Sequence, residues 1–456
     1  MDALAKWIWD PLLCLVYLEV GVVFVLATGA VAWRRSFRAG WHVLRTDRSP
    51  QGDRVVPHTK AFFSTIGATV GIGNLAGVGT AIHLGGPGAL FWMCVSAAFG
   101  MSFRMAATFF AVKYRPTDSR ALNFATPMVY LEKYMRGVWS FVPPLVAGLT
   151  LVQGVVLSNL VQSNSLSHAL HNRFHVPPAV TAVLLTSLVA VVILGGLSRI
   201  VDYSNAIAPW MILTYATVGV VVLAGAPART VRALGEVTVH AFRPYSMAGG
   251  MAGYAVFQAM QFGVSRGIFS HMSGLGTGTF LQGANEDSPA TGAFMSALTP
   301  FVDTLVICTI TGLVILSAPY WQSLTGAHLA ADSFEYAMGL PGQVVVLGGL
   351  AVFGFTTIAA FAHVAERCYR YLGGTNVLGY RLGFLAMTFL GPFLDLGFVW
   401  SLSDIIIAAL IVFHLLPLLC ITLRNLPEMM ADLRSHGEAG RPGLPSPAPP
   451  PGVRAD

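Results

Sequence analysis

Apolar residues occur in blocks of about twenty along nearly the whole chain, separated by short polar segments. The blocks fall near 12–33, 60–83, 88–112, 141–166, 177–197, 205–225, 248–265, 291–318, 342–365, 380–398 and 402–423. A helix rises ~1.5 Å per residue and a hydrocarbon core is ~30 Å thick, so the pattern predicts about eleven transmembrane helices. The second block stands apart. From Phe62 to Met93 it reads FFSTIGATVGIGNLAGVGTAIHLGGPGALFWM, with eight glycines between Gly67 and Gly88. Each glycine inside a helix costs roughly 1 kcal/mol against alanine, so a helix broken near Gly71 to Asn74 uses them better than a continuous one. Opened backbone in a bilayer is tolerated only where it is buried in protein or lines a cavity, which makes this break a candidate binding site. The spacings Gly67/Gly71 and Gly73/Gly77 also fit close helix packing. A phosphate loop is excluded, because no Lys-Ser/Thr follows and no charge lies between Lys60 and Met93.

Setting the first block aside leaves ten, which divide as five plus five. The first helix of the second five also carries glycines, from Gly249, Gly250 and Gly253 to Gly263 and Gly267, and the expected matching break lies near Gly263. Interruptions at corresponding positions of two halves point to an inverted repeat with a site near mid-membrane. The expected division is 1–59 for an extra N-terminal helix and a basic interfacial segment, 60–225 and 226–423 for the two five-helix repeats, and 424–456 for a disordered Pro/Gly-rich cytoplasmic tail.

Composition agrees with a polytopic membrane protein: of 456 residues, 55% are hydrophobic and 11% charged, against roughly a quarter charged in soluble domains. No cleavable signal peptide is evident, since no small-residue cleavage site follows the run from Leu12 to Trp33. The net charge of +6 invites a nucleic-acid reading, but the basic residues crowd the segments between alternate spans. By the positive-inside rule this predicts a multi-pass protein of the inner (plasma) membrane with its N-terminus outside and C-terminus cytoplasmic. The segment Arg34 to Arg48 is expected to lie along the inner interface, arginines on headgroups and aromatics inward. The five cysteines are single and scattered, so neither a metal site nor a disulfide framework is supported. No HExxH motif is present, and neither a nucleophile–base pair nor a metal cluster is legible within the spans, so an enzyme is not expected.

Four blocks then resemble the sodium:alanine (or glycine) symporters of the amino acid-polyamine-organocation superfamily. They are Ala68-Thr-Val-Gly-Ile-Gly-Asn-Leu-Ala-Gly77 with Gly85-Gly-Pro-Gly-Ala-Leu-Phe-Trp92, Leu160-Val-Gln-Ser-Asn-Ser165, Gly263-Val-Ser-Arg-Gly-Ile-Phe-Ser270, and Phe301-Val-Asp-Thr304 with Cys308-Thr309. A weaker fifth is Phe355-Thr-Thr-Ile358 with Glu366. The resemblance runs from the first span to His414. It implies a leucine-transporter-type all-α fold of ten core helices, Na+ as coupling ion, and a small neutral amino acid as substrate.

The residues fit those implications chemically. Freed N–H groups around Gly71, Gly73 and Asn74, at the start of a half-helix, can receive a carboxylate. Freed carbonyls with the hydroxyls of Thr69, Thr356 and Thr357 can replace sodium's hydration shell, although a threonine also readily bonds the carbonyl one turn back. The resemblance places Gln162 against substrate, with Asn74, Gly263 and Phe361 as further pocket residues; the amides could instead be interhelical glue. Asp303, Asn164 and His271 are candidates for ion coupling or for structure. Two departures bear on the substrate. His271-Met272-Ser273-Gly274 stands where the family runs Asn-Glu-Ala-Gly, and Ala360-Phe361 where it has Gly-Trp. The competing readings are a transporter of the same fold with another substrate or with proton coupling, and a channel or sensor on that scaffold. No nucleic-acid partner is expected; a monomer is compatible with the sequence.

Overall fold

The structure is a computed structural model that describes residues 8–9, 11–29, 31–46, 58–115, 125–195, 197–243, 252–282 and 288–438. Every expected apolar block carries a helix, and no strand occurs among the described residues. The chain opens with α1 (Pro11–Thr28), which turns by 70° at Gly29, φ +60°, into α2 (Val31–Thr46). The first repeat holds α3 (His58–Thr69), α4 (Ala76–Gly85), α5 (Gly88–Lys113) and the short, half-buried helix α6 (Pro127–Tyr134). It continues with α7 (Val142–Val155) and α8 (Gln162–Phe174), joined by a π turn at Val156–Val161, then α9 (Pro178–Leu194) and α10 (Leu197–Gly225).

The second repeat follows a surface helix, α11 (Pro227–His240), and begins with α12 (Ala252–His271) and the single turn α13 (Thr279–Gln282). Next come α14 (Pro289–Pro300) and α15 (Thr309–Ser317), linked by a π turn at Phe301–Cys308, then α16 (Gly326–Met338) and α17 (Leu340–Tyr371). The repeat closes with α18 (Val377–Leu390), α19 (Leu396–Leu410), a π turn at Ile411–Leu415 and α20 (Leu416–Arg424), and the described chain ends in α21 (Leu426–Glu438). Prolines stand at the first turns of α6, α9, α11 and α14, where the missing N–H has no intrahelical partner to lose. Asn376 and Asp395 cap α18 and α19 by accepting from the N–H groups of Gly379 and Phe398, both at 2.8 Å.

Among the described residues, five helices are long and apolar enough to cross a membrane, seven if each of two bent pairs counts as one, and Pro178–Leu194 and Val377–Phe393 are shorter apolar helices. The remaining two blocks are the broken ones, α3/α4 and α12/α13. They head the two five-helix repeats, which gives the leucine-transporter-type architecture with one extra helix in front.

Three expectations change. The second break is not at Gly263, which lies inside the continuous α12; the helix opens only at Met272–Gly278. Gly263 serves packing, since a Cβ there would run into the Ala89 carbonyl and the Trp92 side chain. The segment from 424 begins as a helix to Glu438 rather than as a disordered tail; residues 439–456, like Gly249 and Gly250, lie outside the described residues. On α2 the aromatics do not all turn inward: Trp41 is 60% exposed and shares a face with the exposed Arg34 and Arg38, while Phe37 meets Phe301 edge-on at 4.7 Å.

Candidate functional site

The first break is short. α3 ends at Thr69, a single 3-10 turn spans Ile72–Asn74, and α4 resumes at Ala76, all of it buried. Unwinding here frees backbone N–H and C=O groups that must find partners inside the bundle. The Gly71 N–H donates to Asn74 Oδ1 and the Ile72 N–H to Gln162 Oε1, both at 2.9 Å. The freed Val70 carbonyl accepts from the Thr357 hydroxyl of α17 at 3.4 Å. Close approach demands the glycines: a Cβ at Gly71 would meet Thr357 Oγ1 and the Gln162 amide, and one at Gly73 would press on the Phe269 ring.

Asp303 joins this cluster from the π turn between α14 and α15. Its carboxylate accepts from Asn74 Nδ2 at 2.9 Å, Ser270 Oγ at 2.8 Å and Thr304 Oγ1 at 2.7 Å, and its backbone carbonyl accepts a further bond from Asn74 Nδ2 at 2.9 Å. Cys308, one π turn on, lies 3.3 Å from both Asn74 Nδ2 and Ser270 Oγ. A buried carboxylate is tolerated when its lone pairs are used in this way. Asn74 is therefore a junction that ties the first break to the end of α12 and to the Asp303 turn. Gln162 stands directly after a π turn and Asp303 within one, a feature common where helices present functional groups.

The other sequence candidates distribute as follows. The Thr69 hydroxyl donates to the Thr65 carbonyl at 2.7 Å and accepts from Arg104 at 3.3 Å, and the Thr356 hydroxyl donates to Phe353 of its own helix at 3.2 Å. Of the three threonines, Thr357 is the one whose hydroxyl reaches the broken backbone. Asn164 donates to the carbonyls of Gly391 at 2.8 Å and Leu394 at 2.7 Å and so secures the turn before α19, the structural alternative of its two readings. Phe361 is buried one turn beyond Thr357 on α17. His271 sits at the lip of the second break. The Ser273 N–H donates to its Nδ1 at 3.1 Å, leaving Nε2 to donate to Ser96 Oγ at 3.2 Å. Gly263 packs against α5, within the helix that ends at the second break.

The second break turns on glycines with left-handed backbone, Gly274 at φ +86° and Gly276 at φ +80°. The carbonyl of Gly274 accepts from His414 Nδ1 at 2.6 Å, and His414 Nε2 in turn accepts from the Tyr130 hydroxyl at 2.6 Å. The space between this loop and Arg104 is only about 10 Å³, room for one water.

On the opposite side of the breaks lies a cavity of about 600 Å³, lined along α4, α12 and α19 by residues that include Thr80, Gln258, Gln261, Arg266, Trp400 and Asp404. Its floor is an ion pair that the sequence reading missed. Arg266 of α12 donates to both carboxylate oxygens of Asp404 of α19, at 2.7 and 2.9 Å, and its guanidinium lies 4.5 Å from the Trp400 ring centroid. Trp400 packs on Phe269 at 4.6 Å between centroids. The available signal was Asp404 itself, a carboxylate within an apolar span four residues after a tryptophan.

With this arrangement in place the comparisons with known proteins are decisive. The family model described as the sodium:alanine symporter family matches residues 1–441. The chain belongs to the sodium:alanine symporter family. Among its relatives are an uncharacterized transporter of Haemophilus influenzae, 34% identical over 89% of this chain and 90% of its own length, and the sodium/alanine symporter AgcS of Methanococcus maripaludis, 33% identical over 92% of this chain and 94% of its own. The crystal structure of MhsT in complex with L-phenylalanine aligns with 84% of this chain and 100% of its own at 14% identity, with a TM-score of 0.50, which supports the shared fold. This member of the sodium:alanine symporter family is a multi-pass sodium-coupled amino-acid transporter and not an enzyme.

Proposed function

We propose that the chain imports a small neutral amino acid of the alanine or glycine type together with sodium, by alternating access around the first break, with its N-terminus outside and its C-terminus in the cytoplasm. The observation that carries this reading is the pairing of the Gly71 and Ile72 N–H groups with the side-chain oxygens of Asn74 and Gln162. A substrate carboxylate offers two acceptor oxygens of the same kind, and rotation of the two amides passes the N–H groups to it. The Gln162 amide then remains beside the substrate as a donor, while Asn74 Nδ2 stays bonded to Asp303. Sodium takes hydroxyl and carbonyl oxygens, with the Val70 carbonyl and Thr357 at its centre and Thr356 beside them.

The glycines that let Thr357, Gln162 and Phe269 close on the break leave little room around it, which favours a short side chain. The 600 Å³ cavity is the outer way in, closed below by Arg266–Asp404 and Trp400, and the Tyr130–His414–Gly274 chain closes the inner side. Each inward positive charge releases ~2.3 kcal/mol per 100 mV, so one coupled sodium supports accumulation by more than tenfold, at ~1.4 kcal/mol per decade.

Uptake of labelled alanine and glycine into proteoliposomes, with external sodium replaced by choline, tests the coupling. Uptake should fall to background in choline; undiminished uptake would reject sodium symport. A thermal-shift screen of amino acids with and without sodium identifies the substrate, because ligands that bind the folded state raise its apparent stability.

A further inference from the structure

The helix outside the ten-helix repeat reaches into the outer cavity at its N-terminal end. Trp9, just before α1, is 2% exposed and lines that cavity. Its indole N–H, which can only donate, bonds the backbone carbonyl of Asp404 at 3.0 Å. The same Asp404 holds Arg266 through both carboxylate oxygens. From there contacts run without a gap through the Arg266 guanidinium, Trp400 and Phe269 to Gly73 in the first break. Elsewhere α1 is anchored on α5: Tyr17 and Phe24 both meet Phe103 edge-on, at 5.2 and 5.0 Å, and Gly21 lies against Phe99. The Trp9 bond is thus a link from a helix fixed on α5 to one side of the ion pair.

We propose that Trp9 is a positioning residue for the outer barrier. It fixes the turn of α19 that carries Asp404, and a two-point ion pair depends on that turn because both oxygens must meet the guanidinium fork at once. The extra helix, none of whose described residues joins the proposed sodium and substrate cluster, in this way sets how readily the cavity opens onto the site. The proposal rests on the transporter reading for its meaning, but it concerns access to the break, which is measured without transport.

Cys308 is a reporter built into the chain: it is fully buried beside Asn74 and Ser270, the latter one turn beyond Arg266 on α12. With Cys14, Cys94, Cys368 and Cys420 replaced by alanine, its modification by a small methanethiosulfonate reagent is followed in detergent-purified full-length protein, where both faces meet the reagent. Trp9→Phe deletes the N–H and keeps an aromatic ring, a smaller one, at the same place; the Asp404 and Arg266 backgrounds separate the lost bond from the lost volume. Losing one ordinary hydrogen bond shifts a two-state population by about fivefold, so Cys308 should be labelled about fivefold faster. In an Asp404→Asn background, or in Arg266→Gln should that variant fold poorly, the increment should vanish, because Trp9 acts through the pair. Equal labelling rates with and without Trp9→Phe overturn the proposal, and so does an increment that persists in both backgrounds, which marks general loosening. Absence of sodium-driven uptake would refute the proposed function and leave this labelling result intact.

Discussion

Gln162 and Asn74 show how a single amide can serve both structure and function. Each accepts from the opened backbone, and under the proposed mechanism each yields that N–H to the substrate; Gln162 then donates to it, while Asn74 keeps its bonds to Asp303. Hydrogen bonds to charged groups contribute about 1.5–3 kcal/mol, so Gln162→Ala should weaken substrate binding by between ten- and a hundredfold while the protein stays folded. Calorimetric titration of the purified variant decides it, and an unchanged isotherm would remove Gln162 from the site. For sodium the structure separates two adjacent hydroxyls. Thr357 crosses to the Val70 carbonyl, whereas Thr356 bonds within its own helix. Thr357→Val should therefore raise the sodium concentration for half-maximal uptake about tenfold, roughly the effect of one lost ligand, and Thr356→Val should raise it less. The reverse order in sodium titrations of uptake would contradict this assignment. These residues were legible in the sequence because a polar group within an apolar run needs a partner. Phe269 and Trp400 were not, since an aromatic residue in a membrane span looks the same whether it faces lipid or a cavity.

At the level of elements, the two breaks are a controlled comparison. Glycine clustering located the first one, where Gly71 and Gly73 coincide with the unwound turn. The same signal misplaced the second. Gly263 and Gly267 lie in an intact helix and let α12 approach α5: a Cβ on Gly263 would strike the Ala89 carbonyl, and one on Gly267 the Ser96 hydroxyl. The real break carries its glycines at alternate positions, Gly274, Gly276 and Gly278, a spacing that no helix face uses, and two of them have φ near +80°. Number alone was not informative: the glycines four apart in α12 mark contact, the opened chain is marked by left-handed backbone at Gly274 and Gly276, and Gly77 and Gly79 share the alternate spacing inside the intact α4. Gly263→Ala should then cost stability, by about 1–3 kcal/mol as overpacking does, and leave substrate affinity unchanged. Fluorescence-detected melting paired with binding measurements separates the two effects; lost affinity at an unaltered melting temperature would return Gly263 to the site.

For the whole molecule, the cytoplasmic end under the proposed orientation is a collar assembled from parts distant in sequence. Lys113 at the end of α5 reaches Glu428 at 2.8 Å and Asp432 at 2.9 Å on α21, Arg35 of α2 donates to the Leu433 carbonyl at 2.7 Å, and Asn425 accepts from Tyr134 of α6 at 2.8 Å. Met429 and Leu433 are fully buried against the bundle. Charge and Pro/Gly content made this region read as a tail, because α21 has little apolar surface of its own; its helix is held by tertiary contacts, which local propensity does not record. The magnitudes rank the contacts. Burying two large apolar side chains contributes about 1.5–3 kcal/mol each, whereas the partly exposed pairs to Lys113 contribute about 0–1 kcal/mol. Ending the chain after Asn425 should therefore lower the melting temperature substantially, Lys113→Ala should lower it only slightly, and ending after Glu438 should leave it unchanged. A chain ending at Asn425 that melts with the full-length protein would show that α21 is an appendage. If the predicted order holds, α21 belongs to the inner closure, because it braces α5 through Lys113, while Asn425 just before it holds Tyr134 of α6, the helix whose Tyr130 steadies His414 and, through it, the second break.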